Sequence, residues 1–331
     1  MYGMEKPIRS CHSSFMKNHF NTLNFCLSTV AILLAVALPP TVFAADYGRD
    51  ANPIVCAQLK ADNAATESET NEPRRNFQLV DAAEKGCISV AMDLILQGAS
   101  VEARDRLANQ ALHQAAQGGH PGMIRMLLDK GAKINQPNLA GSTPLLKAVN
   151  NNKRKAVEAL LAAGASHEAI GGNGITPLTA AAYNGNDKIV KLLLENGADP
   201  AALDGTGKGP VIYAAARGLS SIVQQLVDAG LDVNKVYDHS LTALMWAAGH
   251  SNDVPQPDGL TTVEFLVGKG SGLNEVDDRG RTALMTAAER GHPLVVKYLL
   301  EQGADNLRRD KSGKSALDLA TDEDTRKLLA Q

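Results

Sequence analysis

A chain of 331 residues with 44 % hydrophobic and only 4 % aromatic content has a globular composition, which excludes disorder throughout. Abundant Ala, Leu and Gly with so few rings suit thin helices packed through small side chains, an all-α architecture, better than a sheet sandwich. The net charge of −3 comes with no Lys/Arg cluster for neutralising phosphates, so nucleic-acid binding is set aside.

The chain opens on Lys6, Arg9 and Lys17 against Glu5, and then runs from Phe25 to Leu38 without a charge. Pro39-Pro40 and Val42-Phe43-Ala44-Ala45 follow. Basic, apolar and small residues in that order read as a secretory signal peptide over residues 1–44, with cleavage between Ala44 and Ala45. The apolar run falls short of the roughly 20 residues that a membrane span needs. A start at Met16 would leave a more conventional short basic region. A buried helix of the fold and a retained anchor are the alternative readings of this segment. Export to the periplasm is the expectation, with secretion as the alternative.

A polar segment follows over residues 45–75. Of four cysteines, Cys11 and Cys26 lie in the segment to be removed, which leaves Cys56 and Cys87. In an oxidising compartment two cysteines suit a disulfide, which would tie the polar segment to the first repeat. Closing a loop of that size stabilises by roughly 3–4 kcal/mol in the chain-entropy model. Two unpaired thiols remain the other reading.

From residue 76 to residue 331 a period of 33 organises the chain. Thr143-Pro144-Leu145, Thr176-Pro177-Leu178, Gly209-Pro210-Val211 and Thr242-Ala243-Leu244 recur at that interval. Thr282-Ala283-Leu284 follows after 40 and Ser315-Ala316-Leu317 after 33 more, while Gln110-Ala111-Leu112 and Phe77-Gln78-Leu79 keep the register in degraded form. A Thr or Ser followed by Pro or Ala is a helix start, because the hydroxyl caps free N–H groups and proline lacks one. Small pairs such as Ala181-Ala182 and Ala287-Ala288 let the first helices approach closely. Second helices carry apolar faces, as in Val190 with Leu193-Leu194, and end at glycines such as Gly197 and Gly303. The residues after Gly313 are polar enough to cover the last exposed face, as a solenoid requires.

The unit DRGRTALMTAAERGHPLVVKYLLEQGAD, Asp278 to Asp305, and its repetition closely resemble the ankyrin-repeat family. The resemblance implies an all-α ankyrin solenoid of about seven repeats plus a C-terminal cap, with helix pairs joined by short β-hairpins or loops. It also implies a concave groove for protein partners and no enzymatic activity. Departures are local: the histidine after the Thr-Pro-Leu motif survives only as His113, and Gly209 replaces a capping Thr.

Residues that the period does not dictate carry whatever is specific. Tyr183, Tyr213 and Trp246 lie on three successive first helices, and Tyr237 in the hairpin before Trp246, so an aromatic strip along the groove is the expected partner contact. Core filling by Tyr213 and Trp246 is the competing reading. Arg217, His250, Glu289 and Arg290 fall on the exposed turn after the first helices, and Arg279 and Arg281 make the C-terminal hairpins locally basic. The interval of 40 places seven extra residues within His250 to Gly259, expected as a protruding loop. No spacing of His239, His250, Asp238, Asp253 and Asp258 matches a metal motif, and no nucleophile has a base, so neither metal, cofactor nor catalysis is expected. The expected function is a monomeric adaptor outside the cytoplasm that binds a protein. A structural spacer, or a protein binding metal or a small ligand, is the alternative.

Overall fold

The computed structural model describes residues 47–65 and 71–331, so the signal segment and the Ala44–Ala45 cleavage site lie outside the described residues. Helix α1 (Pro53–Ala65) leads, within the segment that composition marks only as polar. Its start is nonetheless written in the sequence: Asn52 Oδ1 accepts from the N–H groups of Ile54 and Val55, and Pro53 takes the first helical position.

Eight helix pairs follow: α2 (Glu72–Lys85) with α3 (Ile88–Leu96), α4 (Ala111–Gly118) with α5 (Pro121–Asp129), α6 (Pro144–Asn150) with α7 (Arg154–Ala162), and α8 (Pro177–Asn184) with α9 (Asp187–Glu195). The chain continues through α10 (Pro210–Ala216) with α11 (Ser220–Asp228), α12 (Ala243–Ala248) with α13 (Gln256–Gly268), α14 (Ala283–Arg290) with α15 (Pro293–Glu301), and α16 (Ala316–Leu319) with α17 (Glu323–Leu329). First helices pack on first helices and second on second down the stack. That order is the solenoid the period implies.

Each pair starts as the capping logic requires. Thr143, Thr176, Thr242 and Thr282 accept through Oγ1 from the N–H three residues on, and Ser315 does the same from Asp318. Leu145, Leu178, Val211, Leu244 and Leu284, one per first helix, are sealed in the interior, as are Leu160, Leu193, Leu226, Leu266 and Leu299 on the second helices. The glycines that end the second helices adopt left-handed backbone, with φ from +84° at Gly164 to +99° at Gly230, which a side chain would strain.

Between pairs the chain forms fingers rather than β-ladders; among the described residues no strand forms. Each finger closes on a pair of backbone bonds at its tip, such as Asp204 N–H to Lys208 O at 2.9 Å with Gly207 N–H to Asp204 O at 3.0 Å, and Asp277 N–H to Arg281 O at 3.0 Å with Gly280 N–H to Asp277 O at 2.8 Å. In five fingers a buried or half-buried Asp or Asn side chain supports the turn from inside. Asp204 Oδ1 accepts from the N–H groups of Thr206 and Lys208, and Asp105, Asn138, Asp277 and Asp310 repeat the arrangement.

Cys56 and Cys87 are joined by a disulfide, with their Cα atoms 5.2 Å apart, so α1 is fastened to the turn between α2 and α3. The insertion in the sixth pair does not simply protrude. Helix α13 has thirteen residues where α15 has nine, so four of the seven extra residues add a helical turn at its start. No described helix is long and apolar enough to cross a membrane.

Candidate functional site

Of the expected aromatic strip, Tyr183 and Tyr213 meet, while Trp246 on the next first helix is in contact with Lys208. Tyr183, at the end of α8, is 57 % exposed, and its ring meets Tyr213 of α10 edge-to-face with centroids 5.7 Å apart. Tyr213 is half-buried and donates its hydroxyl to the carboxylate of Asp204, the residue that also supports the finger. Burial acts to raise the Asp204 carboxyl, but hydrogen bonds from Tyr213, Thr206 and Lys208 outweigh it and hold the carboxyl below its usual range. Burial and the same bond push the Tyr213 phenol up. Tyr213 is thus a ring fixed by the scaffold, while Tyr183 is free to meet a partner.

Two cations complete the strip. The Arg217 guanidinium lies 5.7 Å from the Tyr183 ring centroid and donates to the Tyr183 carbonyl. Lys208 Nζ stands 5.5 Å from the half-buried Trp246 ring. Such pairs stabilise by about 0.5–1 kcal/mol at exposed sites, so their main effect is to orient the rings.

Beside Tyr183 the surface sinks into a recess of about 530 Å3, floored by Leu146, Ile175 and Ala180 and rimmed by Asn150, Asn173 and Asn184. None of its lining residues is charged. In a chain that is 21 % charged, this surface is built to take an apolar group while offering amide donors and acceptors at the edge.

Two expected contact residues are elsewhere. Tyr237 is only 7 % exposed, because it occupies the finger position that Asp or Asn fills in five other repeats and points inward as they do. Its ring lies against Gly209, where any added Cβ would come within 3.1 Å of Tyr237 Cε1. The missing capping Thr at Gly209 is therefore the space that admits Tyr237. Burial pushes its phenol up, and its hydroxyl has no partner. His250 is not on an exposed turn either: it is fully buried, because the extra turn of α13 folds back over it.

The basic C-terminal fingers are largely satisfied internally. Arg279 grips Asp277 through Nε and Nη2, at 2.9 and 2.8 Å. Arg281 is 15 % exposed and divided between Glu289, at 2.5 Å, and Asp310, at 3.3 Å. Arg281 and Glu289 brace the last repeats, while Arg279, though paired with Asp277, and Arg290 stand exposed. His239 reaches Asp238 and Asp278 at 3.4 and 3.5 Å on an exposed finger, and no metal-holding group of three or more His, Cys, Asp or Glu occurs among the described residues.

The structure adds a row that aromatic residues alone did not signal. Ile170, Leu203 and Val236 are 64, 48 and 59 % exposed at one position of three successive fingers, just before Gly171, Asp204 and Tyr237. Gly205 N–H to Asn173 O at 2.8 Å ties the first of these fingers to the second, and Lys235 Nζ to Ala201 O at 2.8 Å ties the second to the third, which places these aliphatics in file. Their signal was the 33-residue spacing itself, applied to apolar residues that no core needs.

Comparison with protein families agrees with this geometry. The model described as ankyrin repeats (3 copies) matches residues 79–171, 137–204, 153–237, 178–255 and 254–331 in overlapping registers. A search for individual relatives among curated proteins finds no match. Ankyrin repeats are typically non-catalytic modules that bind proteins, and with stacked helix pairs over the matched residues, this chain belongs to the ankyrin-repeat family.

Proposed function

We propose that the protein is an exported adaptor that holds a protein partner in the groove between fingers and first helices, with Tyr183, Tyr213 and Trp246 as the principal contacts. The observation that carries this reading is the uncharged recess bounded by Tyr183 and Tyr213, beside the exposed aliphatic file on the fingers. A deep apolar floor with an amide rim suits a segment of polypeptide that inserts a large side chain and satisfies its backbone at the edge.

A photo-cross-linking residue at Asn184, beside the recess, should trap a discrete protein adduct in intact cells. One at Lys191, on a second helix, should not. Substituting Tyr183, Tyr213 and Trp246 together by Ala should weaken capture about tenfold or more, as hot-spot residues do. Equal adducts from both positions, or undiminished capture by the triple variant in folded protein, would refute the groove.

The export half of the proposal is supported by the charge-free run from Phe25 to Leu38 and by the Cys56–Cys87 bridge, which suits an oxidising compartment. The periplasm is the compartment we infer. N-terminal sequencing of protein recovered outside the cytoplasm should begin at Ala45; recovery only from the cytoplasm, still carrying Met1 or Met16, would overturn this half and leave the groove untouched.

A further inference from the structure

The insertion of the sixth pair bridges its neighbours on both sides. Ser251 donates its N–H to Ala216 O of the preceding pair at 2.9 Å, and Val254 fills the space beside Gly218, where a Cβ would approach its Cγ1 to 2.7 Å. Gln256 Nε2 donates to Gly291 O of the following pair at 3.3 Å. The segment is a strap across the turns of three consecutive repeats.

Under the strap lies a pair of histidine rings. His250 and His292 stack with centroids 3.8 Å apart and planes 20° from parallel. Gly259 closes over them: an added Cβ would lie 2.2 Å from His250 Cε1, so only glycine fits. His250 Nδ1–H donates to Ala247 O at 3.1 Å and His292 Nδ1–H to Ala248 O at 3.0 Å. The second nitrogen of His292 lies 3.2 Å from Asn252 Oδ1, within the strap, so a neutral His292 donating through Nδ1 requires the Asn252 amide turned to present its nitrogen. The second nitrogen of His250 is buried and has no partner.

At His250 this arrangement fits a neutral ring, and at His292 the stacked neighbour and burial disfavour a charge. A proton on His250 Nε2 would make a buried N–H with no acceptor, and one on His292 would set a cation face-to-face against its neighbour. Burial first, and then the proximity of the two rings and Arg290 at His292, keep both imidazoles below their ordinary range; the carbonyls of Ala247 and Ala248 and the carboxylate of Asp322 act the other way without reversing it. On the strap itself, Asp253 is engaged by the Ser251 hydroxyl and feels Arg217, while Asp258 is exposed at the start of α13.

We propose that His250 and His292 form an acid-operated latch, in which protonation of the stacked pair releases the strap from the turns it bridges. An open strap would hydrate both rings and let them bind protons as free histidines do. Protons therefore favour the open form, and closure is retained above the ordinary histidine range and lost as pH falls below it.

Hydrogen exchange on the whole protein, corrected for the intrinsic pH dependence of exchange, tests this between about pH 7.5 and about pH 5. Protection of the amides from Ser251 to Leu260 should fall about tenfold per pH unit for each ring that is protonated in the open strap and not in the closed one, so by up to about a hundredfold per unit for the pair. Amides of α8 and α9 should keep theirs. Replacing both histidines by Phe keeps two flat rings and removes the titration, so the strap should then stay protected at both pH values. Should that variant not fold, ring titration of the native protein by NMR decides, since both rings must titrate below ordinary histidine and in step with strap opening. Equal protection of the native strap at both pH values, rings that titrate normally, or the same acid opening in the double variant would overturn the latch.

Discussion

Replacing Cys87 by Ala, or reducing the native protein, should detach helix α1 while leaving the repeats folded. The helix offers little to hold itself in place. Only Cys56 and Leu59 among its thirteen residues are buried, and a helix of that length is marginal in water without packing. Burying Leu59 contributes about 1.5–3 kcal/mol. The exposed Lys60–Asp93 pair, at 2.9 Å, adds a fraction of that. Upstream, Asp50 accepts from the N–H and hydroxyl of Ser89 at 3.0 and 2.7 Å and anchors the approach to the helix rather than the helix itself. The cross-link closes a loop of 31 residues, a contribution of roughly 3–4 kcal/mol. It is the largest single restraint on α1. Amide protection over residues 53–65 should accordingly drop by roughly two to three orders of magnitude on reduction, with protection of α14 unchanged. Undiminished protection of residues 53–65 after reduction would show that packing alone seats this helix.

The repeat core was legible because its physics is repeated. Thr282, Ala287-Ala288, Leu299 and Gly303 each hold a role that recurs at fixed spacing, and one well-formed unit shows how to read a degraded one. Helix α1 was hidden for the opposite reason. It has almost no apolar face, so periodicity is silent, and its only cues are the Asn52 cap and Pro53. The fingers were legible as turns but not as hairpins, because each closes on two backbone bonds at its tip, in most of them with a carboxylate or amide beneath, instead of a ladder.

At the groove, what could be read depended on whether a residue's neighbours also follow the period. Tyr183 stands out because it is a large ring at the outward position of its helix, two places after Ala181, and it is 57 % exposed. Tyr237 and His250 both sit at positions that are exposed or polar in other repeats, and both are buried through a change elsewhere in the chain. For Tyr237 that change is Gly209, 28 positions upstream; for His250 it is Gly259, on a turn that the insertion adds. Two glycines, each apparently a local loss, make room for two rings. The paired arginines teach the same lesson about charge: Arg279 and Arg281 look available in the sequence, and they are occupied by Asp277, Glu289 and Asp310.

His113 sets the expected response of the second repeat to acid. The ring is fully buried at the start of α4 and uses both nitrogens: Nδ1 accepts from Gln110 N–H at 3.1 Å, so Nε2–H donates to Ser142 O, at 3.2 Å in the next finger. A neutral imidazole satisfies both partners, whereas protonation at Nδ1 would set a donor against a donor. Burial is the main cause that depresses the ring to about 4, against the opposing pull of the Ser142 carbonyl. The folded state therefore binds fewer protons than the unfolded state, whose histidine titrates at 6.5. The stability this ring contributes is intact above that value, declines as pH falls through the interval, and is gone below about 4. The loss amounts to about 3 kcal/mol in total. His113→Leu should be less stable than the native protein near neutrality, since the Gln110 N–H and the Ser142 carbonyl lose their partner. It should nevertheless show a shallower decline in acid, so that the two proteins converge toward about pH 4. Urea titrations followed through the amides of α4 across that interval report the difference without the contributions of His250 and His292, which are common to both. Parallel pH profiles for the two proteins would mean that His113 titrates alike in the folded and unfolded chain, and that its buried, doubly bonded ring does not set the acid limit of this repeat.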